Sequence, residues 1–183
     1  ISRNQLYEQI PQSLLDTCMC ETISKESLKR IYGNIDSALQ GKEVDVIIGG
    51  PPCQAYSLAG RAQDPNSMKD DYRNYLFESF VKVVNYYKPE VFVFENVPAF
   101  MKTICTDVDG VDKPIADAIE ANLGKDYSYA SRVINFKNYG ACSSRQRTVV
   151  IGVSNEYADE ISPFELFPDL VPERTLREVI GHL

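Results

Sequence analysis

The chain has 183 residues, 44% hydrophobic and 25% charged, with 19 Lys and Arg against 26 Asp and Glu and a net charge of −7. That length suits one domain and hardly two, the balance is that of a soluble globular domain, and no apolar run approaches the ~20 residues needed to span a membrane. The acidic excess counts against a self-sufficient nucleic-acid binder, so any such binding must use a local cationic patch or residues outside this chain.

Ile1 to Gln5 show no signal-peptide pattern and no initiator Met, which points to a piece of a longer chain. Residues 1–32 read as polar and helical. Leu6, Ile10, Leu14 and Leu15 fall at helical spacing around the interrupting Pro11, and Ser24-Lys25-Glu26-Ser27 can cap a second helix toward Leu28 and Ile31. Val44 to Ile48 is a short apolar run before Gly49-Gly50-Pro51-Pro52, the pattern of a buried parallel strand entering a tight loop. Residues 54–73 are polar and read as a long loop, a length that often marks a functional, mobile segment.

A helix is predicted from Asp71, with Leu76, Phe77, Phe80, Val81, Val84 and Tyr87 as one apolar stripe and Lys88-Pro89 as its end. Val91 to Phe94 is the next buried strand, leading into Glu95-Asn96-Val97-Pro98. Pro114 to Leu123 reads as a helix closed by Gly124, Tyr127 to Phe136 as a strand, and Arg147 to Val153 as a last strand. Residues 154–174, rich in Pro, Glu and Asp, read as a departing linker. The order strand, helix, strand, helix, strand, strand predicts half or more of a doubly wound α/β sheet, whose ligand crevice lies at the carboxyl ends of the strands.

Two strands end there in unusual chemistry. Cys53 follows two prolines, which fix φ and remove backbone donors, so its thiol sits on a stiff loop. A free cysteine is most often a small buried hydrophobe. The Pro-Pro before this one and the polar loop after it favour a working thiol. Glu95 closes an apolar run, where partial desolvation would raise its pKa and suit it to donate a proton. Arg145 and Arg147 stand at i and i+2 on one face of the last strand, as a carboxylate or phosphate clamp would require. The other cysteines, Cys18, Cys20, Cys105 and Cys142, make an odd total of five at irregular spacing. That argues against a disulfide framework and for a reducing compartment. With His182 the sole histidine, no metal site is expected.

Together these segments resemble the DNA (cytosine-5) methyltransferase family. Gly50-Pro51-Pro52-Cys53-Gln54-Ala55-Tyr56-Ser57 is similar to its catalytic Pro-Cys motif, and Glu95-Asn96-Val97 to its Glu-Asn-Val motif. Asn138-Tyr139-Gly140 with Arg145-Gln146-Arg147 resembles Tyr-Gly…Gln-x-Arg-x-Arg, and Arg73 to Phe77 resembles Arg-Gly-x-Leu. Gly33-Asn34-Ile35 resembles the Gly-Asp-Ile that follows the third strand, and Thr175 to Gly181 the approach to the target-recognition region. The matches run in family order from about residue 33 to 153. Ser143 stands where the family has Gln and Asn34 where it has Asp; the Phe-x-Gly-x-Gly cofactor loop and the acidic ribose partner have no counterpart here.

The resemblance implies a Rossmann-like S-adenosylmethionine-dependent methyltransferase sheet, incomplete because its first strand and Gly-rich loop are missing. It implies a partial catalytic domain over 1–155 and a linker over 156–183 toward a missing target-recognition domain. It implies methyl transfer to C5 of cytosine in double-stranded DNA, by a covalent Cys53–C6 adduct on a flipped-out base. Cys53, Glu95, Arg147 and Arg145 would be catalytic. Asn34, Ile35, Pro51 and Leu76 would meet S-adenosylmethionine. Gln54, Ser57, Arg61 and Arg73, with Lys69, would meet DNA from a closing loop. No metal and no membrane are expected. A bacterial restriction-modification setting, a cytoplasmic, nucleoid-associated location and a cognate restriction endonuclease complete the expectation. Alone, this stretch is expected to be inactive. Other open readings are a transfer-RNA cytosine-5 methyltransferase, an amino-methyltransferase (disfavoured because Cys53 replaces the aromatic residue after Pro-Pro), and an inactive fragment or regulatory homologue.

Overall fold

A computed structural model describes residues 2, 5, 7–51, 76–106 and 111–181. The chain divides into two compact units, Ile1–Glu43 and Val44–Leu183.

The first unit holds a single turn, α1 (Gln12–Leu15), and a longer helix, α2 (Leu28–Leu39). The serines expected to start α2 do so reciprocally. Ser27 Oγ accepts the Ser24 N–H at 2.8 Å and Ser24 Oγ accepts the Ser27 N–H at 3.2 Å. Ser27 and Leu28 are buried beneath this turn. The helix stops at Gln40 and Gly41, both at positive φ. Its middle carries Gly33, Asn34 and Ile35, so the structure shows helix where the resemblance implied the exit of a strand.

In the second unit β1 (Val46–Gly49) leads, beyond the described residues, to α3 (Leu76–Tyr87) and then β2 (Val91–Asn96). A small hairpin follows, β3 (Ile104–Thr106) with β4 (Asp112–Pro114), then α4 (Ile115–Leu123), β5 (Tyr127–Asn135) and β6 (Gln146–Ser154). A short helix, α5 (Leu176–Ile180), closes the described chain behind a Thr175/Glu178 capping box. Among the described residues no helix is long and apolar enough to cross a membrane.

The main sheet has the order β1-β2-β6-β5. β1 and β2 are parallel, from Val46↔Val91 to Gly49↔Phe94. β6 slots between β2 and β5 and runs antiparallel to both. The architecture is mixed α/β with a partial, four-stranded sheet, in the predicted element order. The 104–114 hairpin was not anticipated, because three-residue strands are too short to show alternation.

Alternation along β2 sends Phe92, Phe94 and Asn96 to one face and Val91, Val93 and Glu95 to the other. On the first face Phe77, Val81 and Val84 of α3 and Ile115, Ala118, Ile119 and Leu123 of α4 build the main core. Phe94 sits among three rings, Phe77, Phe80 and Phe100, with centroids 6.0, 4.9 and 4.8 Å away. Beyond α3, Lys88 takes φ 46° before the buried Pro89, whose carbonyl accepts the Tyr127 hydroxyl at 2.8 Å. Burial pushes the Tyr127 phenol up to about 12.

The second face is thinner. Ala130, Ile151 and Phe167 are buried there, with Val91, Val93 and Val149 packed against them. Arg132 lays its guanidinium 4.6 Å from the Phe167 ring centroid and 5.6 Å from that of Phe164. Val171 donates its N–H to the Asn138 carbonyl at 2.9 Å, and Lys137 pairs with Glu173 at 2.7 Å. Residues 154–174, read as a linker, therefore run along the sheet and contribute to its core. At the β1 edge Val46 and Ile48 are 50% and 77% exposed, so β1 is less buried than its apolar sequence suggested.

Gly152 lies opposite Phe92 in the ladder, and a Cβ there would fall inside the Phe92 ring. Gly152→Ala should cost about 1–3 kcal/mol or more by overpacking, read as a lower urea midpoint of the full chain. An unchanged midpoint would show that Phe92 is not held as described.

Candidate active site

The site is assembled where β1 and β2 end and the antiparallel β6 begins. β2 leaves the core with two polar residues in succession, and alternation points them to opposite faces. Glu95 takes the thinner face, opposite Val149 in β6. Arg147, two residues before Val149, lies on that same face and diagonal to Glu95. Arg147 Nε contacts Glu95 Oε1 at 2.8 Å, and Arg147 Nη1 donates to the Gln146 carbonyl at 2.7 Å. The guanidinium is thus fixed at two points. Its side chain is 14% exposed and that of Glu95 is 41% exposed. Glu95 is half-buried, and its carboxylate faces the guanidinium.

Gly50 completes this seat. A Cβ at Gly50 would lie 3.3 Å from Glu95 Oε2. The bare backbone after β1 leaves room for the carboxylate, and Arg147 holds its other oxygen. Gly49 is bare for a related reason, because a Cβ there would meet Phe80 at 2.5 Å.

Asn96 turns to the buried face and is 1% exposed. Its amide donates to the Pro51 carbonyl at 3.1 Å and its oxygen accepts the Val97 N–H at 2.9 Å. Thr148, its ladder partner, is 2% exposed and donates its hydroxyl to the Pro98 carbonyl at 3.2 Å. Gly50 and Asn96 stand within the motifs quoted from the sequence but were given no role there, and Thr148 was not singled out. The Asn after Glu95 carries no periodic signal, and its contact with Pro51 spans 45 residues.

The two arginines enter from the turn between β5 and β6. Residues Phe136–Tyr139 form one 3-10 turn that closes at Gly140, whose φ of 83° explains the glycine. Ser143 Oγ accepts the Arg145 N–H at 3.2 Å, so the serine in the family's Gln position makes a local hydrogen bond of its own. Arg145 is exposed and, among the described residues, its guanidinium has no ion-pair partner. Only Arg147 of the expected pair reaches Glu95.

Cys53, Gln54, Ser57, Arg61, Lys69 and Arg73 lie outside the described residues. Pro51 is half-buried at the exit of β1, and Leu76, also half-buried, opens α3. Asn34 and Ile35 belong to the other unit, exposed and half-buried respectively on α2. In the second unit, Pro51 and Leu76 offer only apolar contact, Glu95 is already paired, and the clearance at Gly49 and Gly50 is taken up by Phe80 and Glu95. The described residues there do not by themselves build a cradle for S-adenosylmethionine. What the edge can do is present a fixed carboxylate, backed by a guanidinium, beside the backbone that leads into Cys53.

Gly50→Ala should push the Glu95 carboxylate off its seat by a few tenths of an ångström while leaving the core untouched. In the full chain the expected result is a fall in turnover with a melting temperature close to that of the parent. Unchanged turnover would show that the Gly50 clearance does not set the carboxylate.

The family model described as C-5 cytosine-specific DNA methylase matches residues 4–182. The Type II methyltransferase M.Bpa9945I of Bacillus paralicheniformis is 33% identical over 185 residues, covering 90% of this chain and 40% of that protein. M1.HphI of Haemophilus parahaemolyticus, also a Type II methyltransferase, is 35% identical over 149 residues, covering 81% of this chain and 37% of its own. Among solved structures, one from E. coli described as a prophage-encoded DNA modification methyltransferase is 27% identical, with a TM-score of 0.59 over 80% of this chain and 37% of that one. The chain thus spans about two fifths of the length of these curated relatives.

Proposed function

Because the chain belongs to the C-5 cytosine-specific DNA methylase family, we propose that the whole protein methylates C5 of cytosine in double-stranded DNA, with Cys53 as nucleophile and S-adenosylmethionine as methyl donor. The observation that carries this reading is the Glu95–Arg147 pair, at 2.8 Å, beside the backbone of Gly50 and Pro51. It gathers three of the resembling motifs at one strand edge. The DNA methylase family model supports DNA as the substrate, the Type II names of the relatives support a restriction-modification setting, and a cognate endonuclease as functional partner belongs to the same proposal.

The residues divide the work. C5 of cytosine is a poor nucleophile, and covalent catalysis splits one hard step into easier ones. The Cys53 thiolate adds to C6, which makes C5 nucleophilic; S-adenosylmethionine, held by residues beyond those described, would supply the methyl group and be left as S-adenosylhomocysteine. The Glu95 carboxyl donates a proton to ring nitrogen N3 as the thiolate adds, which neutralises the charge that develops on the base and leaves the carboxylate to Arg147. Arg147 holds Glu95 in the required direction. Arg145, exposed and two residues before Arg147, is the cation available to the base oxygen or a phosphate. Solvent then takes the C5 proton, the electron pair of that bond re-forms the C5–C6 double bond, and the C6–S bond breaks to free the Cys53 thiolate. A stacked base cannot be reached this way, so the cytosine is flipped out of the duplex. Gln54, Ser57, Arg61 and Arg73 position the duplex through its phosphates. The net charge of −7 requires that such contacts be local, or supplied by the rest of the protein.

The test is to incubate the full chain with S-adenosylmethionine and duplex DNA and identify the methylated nucleoside. The expected product is 5-methylcytosine, abolished by Cys53→Ser. A product methylated on an exocyclic nitrogen, methylation of transfer RNA alone, or full activity in Cys53→Ser would overturn the reading.

A further inference from the structure

β1 and β2 are paired as parallel strands up to Gly49↔Phe94. The chain then continues from β1 into Pro51 and Pro52, neither of which has an N–H to give to a ladder. Backbone pairing cannot carry β1 further, yet the Pro51 carbonyl is not left unpaired. It accepts the Asn96 amide at 3.1 Å. The same side chain takes the Val97 N–H at 2.9 Å, so one buried amide ties the exit of β1 to the exit of β2. Its other supports are rigid. Asn96 stands on the core face with Phe92 and Phe94, and Thr148 beside it anchors the Pro98 carbonyl at 3.2 Å.

We propose that Asn96 is a positioning residue for the nucleophile: its amide replaces the missing ladder bond and sets where the Pro-Pro-Cys segment begins. Cys53 is two residues beyond Pro51 in the sequence, and the single residue between them is again a proline. A proline ring restricts the φ of its own residue, so the sequence between that carbonyl and Cys53 has fewer backbone torsions to set than an ordinary dipeptide. Asn96 and Glu95 are adjacent in sequence, so β2 governs both partners of the chemistry: it bears the carboxylate on one face and holds the approach to the thiol from the other. The inference rests on the proposed role of Cys53.

Asn96→Asp tests it at nearly constant volume, because it replaces the donor with an acceptor that faces a carbonyl. Asn96→Ala removes the donor without adding charge. Each variant of the full chain is titrated with a duplex carrying 5-fluorocytosine, in which the fluorine cannot leave as the proton does and the covalent adduct persists. Turnover is then expressed per titrated site, so loss of folded protein does not count. An unsatisfied buried acceptor costs about 1–3 kcal/mol, and if that strain falls on the reacting geometry turnover per site drops about tenfold to a hundredfold. The expected result is such a drop in both variants, larger for Asp, with KM for DNA within about twofold. Turnover per site at the parent level in either variant would overturn the proposal, since a merely structural Asn96 lowers the number of sites and not their rate. Failure of the underlying reading shows separately, as a parent chain that forms no adduct with the fluorinated duplex.

Discussion

The register of β6 against β2 is the constraint on which the rest of the site depends. Glu95 faces Val149 and Asn96 faces Thr148 across that antiparallel ladder. A slip of one residue would turn Arg147 to the opposite face and remove the guanidinium from Glu95. The same slip would bring Thr148 out of the core, where it steadies the turn after Val97. Two independent patterns hold the register. The core face requires Phe92 and Phe94 opposite Gly152 and Val150, and only a glycine leaves room for the Phe92 ring.

The forces that hold the fold and those that make the site are separate. Phe92, Phe94, Phe100, Ile115 and Val150 are at most 1% exposed. Complete burial of one such side chain is worth about 1.5–3 kcal/mol. The Glu95–Arg147 pair, with its carboxylate 41% exposed, adds little by comparison, on the scale of about 0–1 kcal/mol. The pair is therefore better understood as an orienting device, on an edge that the aromatic core makes stiff. Gly50 and Asn96 serve that edge too, one by clearance and one by a hydrogen bond.

Much of this was legible in the sequence wherever a local pattern carried it. The stripe from Phe77 to Val84, the apolar run of β2 and the serines that start α2 each report their structure within a few residues. The motifs around Pro51 and Glu95 could be placed on one edge because the carboxyl ends of parallel strands share an edge in such sheets; Arg147, at the amino end of β6, joins them only because β6 runs antiparallel. What could not be read depends on distant partners. The insertion of β6 between β2 and β5, the Asn96 bond to Pro51 and the packing of Phe167 beneath Arg132 join segments far apart in the chain. Asn34 was matched by motif alone, and its neighbours form an uninterrupted helix.

A double-mutant cycle on turnover of the full chain, with Glu95→Gln, Arg147→Met and the combined variant, tests most directly whether these two residues act as one unit. The account predicts strong non-additivity: the double variant should be about as slow as the worse single one, because removing either partner already disables the pair. Losses that multiply, with a coupling smaller than about 0.3–0.5 kcal/mol, would mean that Arg147 and Glu95 work independently and that their contact does not organise the site.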